Sequence, residues 1–328
     1  MNWRNNAKRA AYLCVILILV LVMIVSGLQI LESTVFYDGT GDVRPTDTKT
    51  LVRDGVEYFP RQDITVVMVL GIDRFGVVED SNSYNNRGAA DMVSLLVFDE
   101  VAETCGILCL NRDTMLEMPV LGIGGKQAGT IYQQLALSHT YGSGLEDSCE
   151  NTRNTVSDFL TGIEIDHYVA MNMDAIGLLN DAVGGVTVTV EDDFSAIDPT
   201  ITMGELTLTG TQAIHFVRTR KDVDDQTNIS RMKRQEQYMD GFVKSVRAKQ
   251  AQSSTFALSA YEDVADYIVT DCSATVISDM MSRYSDYEVL DVVSPEGENV
   301  LGGTYYEFHA DEDKLTDLVL ELFYAPKK

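Results

Sequence analysis

The sequence predicts an α/β layered domain that follows a single N-terminal transmembrane helix. Two observations predict this fold class. An uncharged apolar run of 22 residues lies close to the N-terminus, and beyond it short β-branched runs alternate with longer amphipathic segments. The chain has 328 residues of which 45% are hydrophobic, a composition typical of folded globular proteins. Wholesale disorder and a multi-span membrane protein are therefore excluded.

The apolar run Ala10–Leu31 is predicted to be an uncleaved signal anchor. As a helix it spans about 33 Å, enough to cross the hydrocarbon core of a bilayer. Arg4, Lys8 and Arg9 precede it and Glu32 follows it, so the positive-inside rule predicts a cytoplasmic N-terminus and an extracellular remainder. A cleaved signal peptide is the alternative, but the run is long and no A-x-A site follows it. The sequence thus predicts a single-pass protein of the cell membrane.

The charge balance is strongly acidic, with 25 Lys and Arg residues against 50 Asp and Glu residues. Three of the bases precede the anchor, so the remaining 22 stand against all 50 acids and give a net charge of −28 outside the membrane. Such a surface repels a phosphate backbone over long range, which excludes general nucleic-acid binding. A site for an anionic substrate would need its cations gathered in one place.

Strands and helices are predicted in alternation from residue 64 onward. The predicted strands are Ile64–Ile72, Met92–Phe98, Cys105–Leu110, Tyr168–Asn172, Val186–Val190 and Tyr287–Val293. The predicted helices are Thr130–Tyr141, Glu150–Leu160, Asp174–Val183 (with Asp174 as its N-cap), Thr211–Val217, Arg231–Lys249, Phe256–Tyr267, Ala274–Tyr284 and Asp311–Tyr324. Val120–Gly129 is predicted to be a glycine-rich loop, and residues 32–62 a polar stalk with a short strand at Val56–Phe59.

Four cysteines lie beyond the anchor: Cys105, Cys109, Cys149 and Cys272. They could form two disulfides, but we favour buried free thiols, because Cys105 and Cys109 lie too far apart along one strand to bond each other.

Two aspartates are candidate metal ligands. Asp73 directly follows the strand Ile64–Ile72, and Asp91 directly precedes the next strand. Carboxylates at the ends of neighbouring strands can converge in the crevice where open α/β sheets bind ligands, and Mg²⁺ is held by one or two carboxylates with substrate phosphates. Each aspartate could instead only cap a turn.

Arginines supply the candidate phosphate-binding groups. Arg112 follows the strand Cys105–Leu110, where it could enter the same crevice or pair with Asp113 at the surface. Four arginines, Arg218, Arg220, Arg231 and Arg234, and two lysines lie within seventeen positions of an otherwise acidic chain. Guanidinium groups match phosphate oxygens two at a time. A solvated basic face is an equally good interpretation of composition alone.

The combination of motifs resembles the LytR–CpsA–Psr family. The stretches that carry the resemblance run from about Ile64 to about Val246 and read, in order, GIDR, AADMVSLLVFD, LNRDTM, GIEIDHYVAMNMDAIGLLNDAVGGVTVTV, LTGTQAIHFVRTRK and NISRMKRQEQYM. The resemblance implies a central mixed β-sheet sandwiched between helices in three layers. It also implies a cell-surface phosphotransferase that moves an anionic glycopolymer from undecaprenyl pyrophosphate onto peptidoglycan. With this resemblance, the chain is predicted to divide into a tail (1–9), an anchor (10–31), a stalk (32–62), a catalytic domain (63–250) and a C-terminal extension (251–328). We expect the extension to pack on the catalytic domain; a separate substrate-recognition lobe is the alternative.

The resemblance also implies roles for individual residues. Asp73 and Asp91 are implied as ligands of Mg²⁺ or Mn²⁺, and the pyrophosphate would be held by Arg112, Arg218, Arg220 and Arg231, with Gln235 beside them. Arg112, Arg218 and Arg220 would be the catalytic arginines, and Arg87, Arg231 and Gln235 would bind substrate.

Three positions depart from the family pattern. Ala89 stands where an arginine is frequent, so Arg87 is only a candidate for that role. Gln134 stands where a lysine is common, which removes an expected phosphate contact. Asn111 stands where proline is frequent.

Two other functions remain open at the level of sequence. The same residues would serve a prenyl-pyrophosphate pyrophosphatase, in which water replaces the sugar hydroxyl. A non-catalytic wall-binding or regulatory protein is the other alternative, although it would not need two carboxylates beside an arginine cluster.

Overall fold

The structure is a computed structural model that describes residues 50–328, except residues 123–124, 220–222, 224–227, 254–255, 274–275, 277–278, 281–282, 285–286, 304 and 328. The predicted anchor at residues 10–31 lies outside this range. No helix among the described residues is long and apolar enough to cross a membrane.

The described residues include fifteen strands and six α-helices whose bounds lie within them. The strands are β1 (Leu51–Arg53), β2 (Val56–Pro60), β3 (Ile64–Ile72), β4 (Ala90–Asp99), β5 (Thr104–Leu110), β6 (Met115–Leu121), β7 (Gln127–Gln134), β8 (His167–Asn172), β9 (Val186–Val190), β10 (Gly204–Leu208), β11 (Ile268–Thr270), β12 (Glu288–Val293), β13 (Gly297–Gly302), β14 (Tyr305–Ala310) and β15 (Tyr324–Pro326). The helices are α1 (Glu146–Phe159), α2 (Met173–Ala182), α3 (Gly210–Arg218), α4 (Asn228–Gln252), α5 (Phe256–Val264) and α6 (Glu312–Phe323).

The main sheet has the strand order β11-β8-β3-β4-β5-β12. It is a mixed sheet, because β4 pairs with β5 antiparallel whereas β12 pairs with β5 parallel. Residues Val66–Leu70 of β3 are all buried, as the continuous β-branched run of that strand requires of a strand covered on both faces. The predicted α/β class with a mixed sheet and helices is therefore confirmed.

The chain divides into two compact units, and each is described by itself. The first unit contains Gly71–Val78 and Ala170–Ser285, with α2, α3, α4 and α5 and the β9–β10 hairpin. Of the described residues, the second unit contains those within 50–70, Glu79–Val169 and 287–327, with β4, β5 and β12 and the hairpins β6–β7 and β13–β14. The predicted five-part division of the chain stays a prediction.

Several predicted elements are confirmed closely. β3 and β9 have the predicted bounds, and β4, β5, β8, β12, α1, α3, α4 and α6 lie within a few residues of theirs. The predicted helix at Phe256–Tyr267 is α5 followed by a short 3₁₀ turn, and a strand is present at Val56–Pro60. The helix predicted around Ala274–Tyr284 lies in part outside the described residues.

The helix predicted at Thr130–Tyr141 is wrong in its first half. Residues up to Gln134 form β7, which pairs antiparallel with β6, and only Leu135–Thr140 are helical, as a 3₁₀ helix. Cross-strand pairing and the β-branched and aromatic residues Thr130, Ile131 and Tyr132 favour the strand. The predicted loop at Val120–Gly129 is correspondingly shorter.

The cap predicted for α2 is also wrong. Asn172, not Asp174, is the N-cap, and its side-chain oxygen accepts from the backbone N–H groups of Asp174 and Ala175. The Asp174 carboxylate instead accepts from the N–H of Gly76 at 2.5 Å.

The preference for buried free thiols is confirmed. Cys105, Cys109, Cys149 and Cys272 are all free and all buried. Burial raises the pKa of the Cys105 thiol to about 12, so this thiol is protonated and unreactive at neutral pH.

Candidate functional site

The segment after β3 is fixed by backbone and side-chain hydrogen bonds within the first unit. The N–H of Met173 donates to the carbonyl of Arg74 at 3.0 Å, and the side-chain amide of Asn172 donates to the carbonyl of Gly76. With the Gly76–Asp174 bond, these contacts tie the turn that follows Asp73 to the N-terminus of α2. Asp73 is thus held at the carboxyl end of a central strand, as predicted.

Asp73 pairs with Arg218. Arg218 is the last residue of α3, and its Nη2 donates to Oδ1 of Asp73 at 3.2 Å. The guanidinium also lies over the ring of Phe75, 5.2 Å from its centroid. The side chains of Arg218 and Asp73 are 50% and 39% exposed, and exposed pairs of this kind contribute about 0–1 kcal/mol. The pair can therefore be rearranged by a charged ligand at little cost.

Asp91 pairs with Arg112 in the second unit. β4 and β5 are antiparallel with Val93 opposite Leu110, and continuing this register by two positions puts Arg112 opposite Asp91. The Nη1 of Arg112 donates to Oδ1 of Asp91, and its Nε lies 3.5 Å from a carboxylate oxygen of Asp113. The pairing with Asp113 that was considered from sequence is therefore present, and Arg112 also contacts the predicted metal ligand Asp91.

The turn that carries Arg112 is closed by Asn111. The Oδ1 of Asn111 accepts from the N–H of Asp113 at 3.0 Å, and its carbonyl accepts from the Thr114 hydroxyl at 2.6 Å. This Asx turn gives a physical reason for asparagine in place of the proline that is frequent in the family pattern.

Arg234 is a site residue whose role the sequence did not reveal. Its guanidinium donates to the carbonyls of Phe216 and Thr219 and to the carboxylate of Asp192, and it lies over the ring of Phe194. Its side chain is 7% exposed. From sequence Arg234 belonged to the basic cluster; in the structure it is an internal anchor for the end of α3. No local pattern signals this, because burial depends on the contact with Asp192, 42 positions away.

No described contact joins the remaining predicted site residues to the Asp73–Arg218 pair or to the Asp91–Arg112 pair. Arg87 is exposed and follows Asn86, which is buried and donates to the carbonyls of His139 and Gly142. Arg220 lies outside the described residues, and so do the side chains of Arg231 and Gln235. The roles predicted for these four residues stay predictions.

The chain belongs to the LytR_cpsA_psr family, which it matches over residues 39–322. The predicted family membership is confirmed.

Two relatives carry the name of a teichoic acid transferase. The chain is 29% identical over 233 residues to the polyisoprenyl-teichoic acid–peptidoglycan teichoic acid transferase TagU of Halalkalibacterium halodurans, covering 71% of this chain and 69% of the relative. It is 26% identical over 277 residues to TagU of Bacillus subtilis (strain 168), covering 84% and 82%.

Solved structures share the fold. The protein gbs0355 from Streptococcus agalactiae matches with a TM-score of 0.60 and 22% identity over 79% of this chain and 87% of that chain. TagT bound to LI-WTA matches with a TM-score of 0.55 and 20% identity over 80% and 90%. B. subtilis TagU matches with a TM-score of 0.51 and 23% identity over 80% and 96%.

Proposed function

We propose that this protein is an extracellular phosphotransferase that moves an anionic glycopolymer from a polyprenyl-pyrophosphate carrier, undecaprenyl pyrophosphate, onto peptidoglycan. Family membership and the names of the relatives support transfer of a glycopolymer to peptidoglycan. The proposal places the chain in the cell membrane, with the anchor at residues 10–31 holding it beside the lipid carrier.

The observation that carries the proposal is that each predicted metal ligand contacts a predicted phosphate-binding arginine. Asp73 contacts Arg218 in the first unit, and Asp91 contacts Arg112 in the second. Both arginines are two-fifths to one-half exposed, so their guanidinium groups can reach a ligand. In a chain this acidic, permanently charged guanidinium groups held at strand and helix ends are suited to a pyrophosphate.

Each of the two aspartates offers a carboxylate of the kind that binds a divalent cation. Mg²⁺ prefers one or two carboxylates together with phosphate oxygens, and Asp73 and Asp91 are partly exposed carboxylates at strand ends. We propose these two residues as the ligands of Mg²⁺ or Mn²⁺. When bound, such an ion neutralises phosphate charge.

The reaction balances without a covalent enzyme intermediate. The hydroxyl oxygen of the acceptor sugar attacks the phosphorus that bears the polymer, and a new P–O bond forms. The bond from that phosphorus to the bridging oxygen breaks, and the lipid monophosphate leaves with that oxygen. The hydroxyl proton passes to a base or to solvent. Arg112 and Arg218 stabilise the charge that develops on the phosphate oxygens, because phosphoryl transfer depends mainly on positioning and electrostatics.

Full-length protein in detergent micelles, given a lipid-pyrophosphate-linked glycopolymer and peptidoglycan, tests the proposal. We expect wall-linked polymer and lipid monophosphate in equal amounts, loss of turnover in EDTA and recovery with Mg²⁺. Asp91→Asn should lower turnover about 100-fold or more, whereas Glu117→Gln, an exposed acid of the same unit, should not.

Three outcomes would contradict the proposal. Release of free polymer without wall linkage would indicate a pyrophosphatase. Binding without turnover would indicate a wall-binding protein. Full turnover in EDTA would remove the metal from the mechanism.

A further inference from the structure

Gln134 joins two parts of the second unit that are far apart in sequence. Its side-chain Nε2 donates to a carboxylate oxygen of Asp113 at 3.0 Å and to the backbone carbonyl of Tyr306 at 2.8 Å. Both partners can only accept, so the NH₂ end of the amide must face them, and both of its hydrogens are used. Gln134 is therefore held in one orientation by two segments that lie far apart in sequence.

The carboxylate that Gln134 holds is also a partner of Arg112. The same Oδ1 of Asp113 lies 3.5 Å from Nε of Arg112, whose Nη1 donates to Asp91. The guanidinium thus lies between two carboxylates at different strand ends. Because Gln134 fixes the position of Asp113, it also restricts the directions that the Arg112 side chain can take.

Strand β14 contacts the turn that carries Arg112. The N–H of Phe308 donates to the carbonyl of Asp113 at 2.8 Å, and Thr114 forms a parallel bridge with Phe308. Phe308 is 6% exposed, so β14 is packed against the unit at this position. Backbone and side-chain bonds therefore join β14 to the turn that carries Arg112.

We propose that Gln134 is a positioning residue for Arg112, acting through Asp113 with the carbonyl of Tyr306 as its second fixed point. This inference rests on the function proposed above, in which Arg112 stabilises the developing charge. It gives the β13–β14 hairpin of the C-terminal segment a part in orienting the catalytic group.

The side chain at position 134 carries no net charge, and this affects how Asp113 interacts with Arg112. A lysine at position 134, common in the family pattern, would place a cation against Asp113 and compete with Arg112 for that carboxylate. The glutamine amide orients Asp113 and adds no net charge, so the whole negative charge of the carboxylate remains for Arg112. In this chain the position serves orientation instead of a direct phosphate contact.

The first test is Gln134→Met, which keeps the length of the side chain and removes both donors. We expect kcat for polymer transfer to fall about tenfold, with the KM for the lipid donor changed less than about twofold. The matched control is Gln133→Met on the opposite face of the same strand, which should leave both parameters unchanged. An unchanged kcat in Gln134→Met would overturn the inference.

A double-mutant cycle separates positioning from a general structural effect. In an Arg112→Lys background, Gln134→Met should cost less than about twofold, because the group through which it acts is already lost. An equal tenfold cost in both backgrounds would overturn the inference. The variant Gln134→Lys should also have a lower kcat. If it instead keeps the full kcat and has a lower KM for the lipid donor, residue 134 contacts the phosphate directly and the inference is wrong.

A second cycle needs no substrate and therefore does not depend on the proposed function. Thermal unfolding midpoints of Gln134→Met, Asp113→Leu and the double variant should be non-additive, with the double variant close to the worse single variant. Additive shifts of the midpoints would show that Gln134 and Asp113 do not interact, which would overturn the inference. If the unaltered protein transfers no polymer but the midpoint shifts are non-additive, the proposed function and the catalytic role of Gln134 are both wrong. The coupling between Gln134 and Asp113 is then still established.

Discussion

Arg218 and Arg234, at the two ends of the basic segment (residues 218–234), have opposite environments in the first unit. Arg218, at the end of α3, is 50% exposed and has one acidic partner and one aromatic neighbour. Arg234, inside α4, is 7% exposed and contacts one carboxylate, two carbonyls and one ring. The first can exchange its acid for a ligand, whereas the second cannot move without leaving buried polar groups unpaired.

The difference shows that the buried arginine supports the exposed one. The carbonyl of Phe216 is among the last of α3, where intrahelical partners are missing, and Arg234 supplies the donor. A second donor reaches the carbonyl of Thr219, directly after Arg218. The backbone from which Arg218 projects is therefore fixed on both sides by one internal guanidinium.

Arg234→Ala gives the largest expected effect and tests the structural half of the comparison. It leaves the Asp192 charge and two carbonyls without their donor, so the free energy of unfolding should fall by about 3–5 kcal/mol. Denaturant unfolding of the full-length protein in detergent micelles measures this. Lys233→Ala, an exposed neighbour on the same helix, is the control and should change stability by less than about 0.5 kcal/mol. Equal effects of the two variants would show that Arg234 is not an anchor.

Arg218→Ala tests the other half of the comparison. We expect polymer transfer to fall about 100-fold or more, because a donor to the developing phosphate charge is lost. The free energy of unfolding should stay within about 0.5 kcal/mol, since the Asp73 pair is exposed. Lys244→Ala, an exposed cation of the same unit, should leave transfer unchanged. A loss of stability that matches the loss of activity would mean that Arg218 is structural as well.

Much of the fold could be predicted because burial imposes a regular pattern. β3 and β9 were predicted to the residue, since β-branched residues mark a strand strongly. The hairpins β6–β7 and β13–β14 were missed. Most of their residues are partly exposed and lack a clean alternation, and their pairing depends on partners that the local sequence does not identify.

The candidate site was predictable where it follows strand ends. Asp73 and Asp91 could be placed because each adjoins a clear strand, and the opposition of Asp91 and Arg112 follows from antiparallel pairing of β4 and β5. Arg234 and Gln134 could not be assigned, because their roles depend on Asp192 and on the carbonyl of Tyr306, contacts 42 and 172 positions away. Such contacts exist only after the chain has folded.

A third arginine, Arg61, extends the comparison of Arg218 with Arg234, and its substitution should change the free energy of unfolding less than that of Arg234. Arg61 is 19% exposed and donates to Asp63 and Asp99 in the second unit, neither of which is a predicted site residue. Its hydrogen bond holds the pKa of Asp63 below the usual value. Arg61→Met should lower the free energy of unfolding by about 1 kcal/mol at pH 7 and leave transfer unchanged.

The effect of Arg61→Met should depend on pH in one direction. The pKa of Asp63 is lowered in the folded protein, so the pair's contribution is complete above the unfolded-state pKa of about 3.9 and is lost as pH falls through the lower folded value. The difference in the free energy of unfolding between the variant and the unaltered protein should therefore be the same at pH 7 and pH 5 and smaller at pH 3. Arg53→Met, which removes more exposed pairs with Asp313 and Asp317, should change stability less at every pH. If the stability difference for Arg61→Met is the same at pH 3 and pH 7, packing of the Arg61 aliphatic chain, and not its charge, stabilises this region. The contrast between exposed and buried arginines would then apply only to the basic segment.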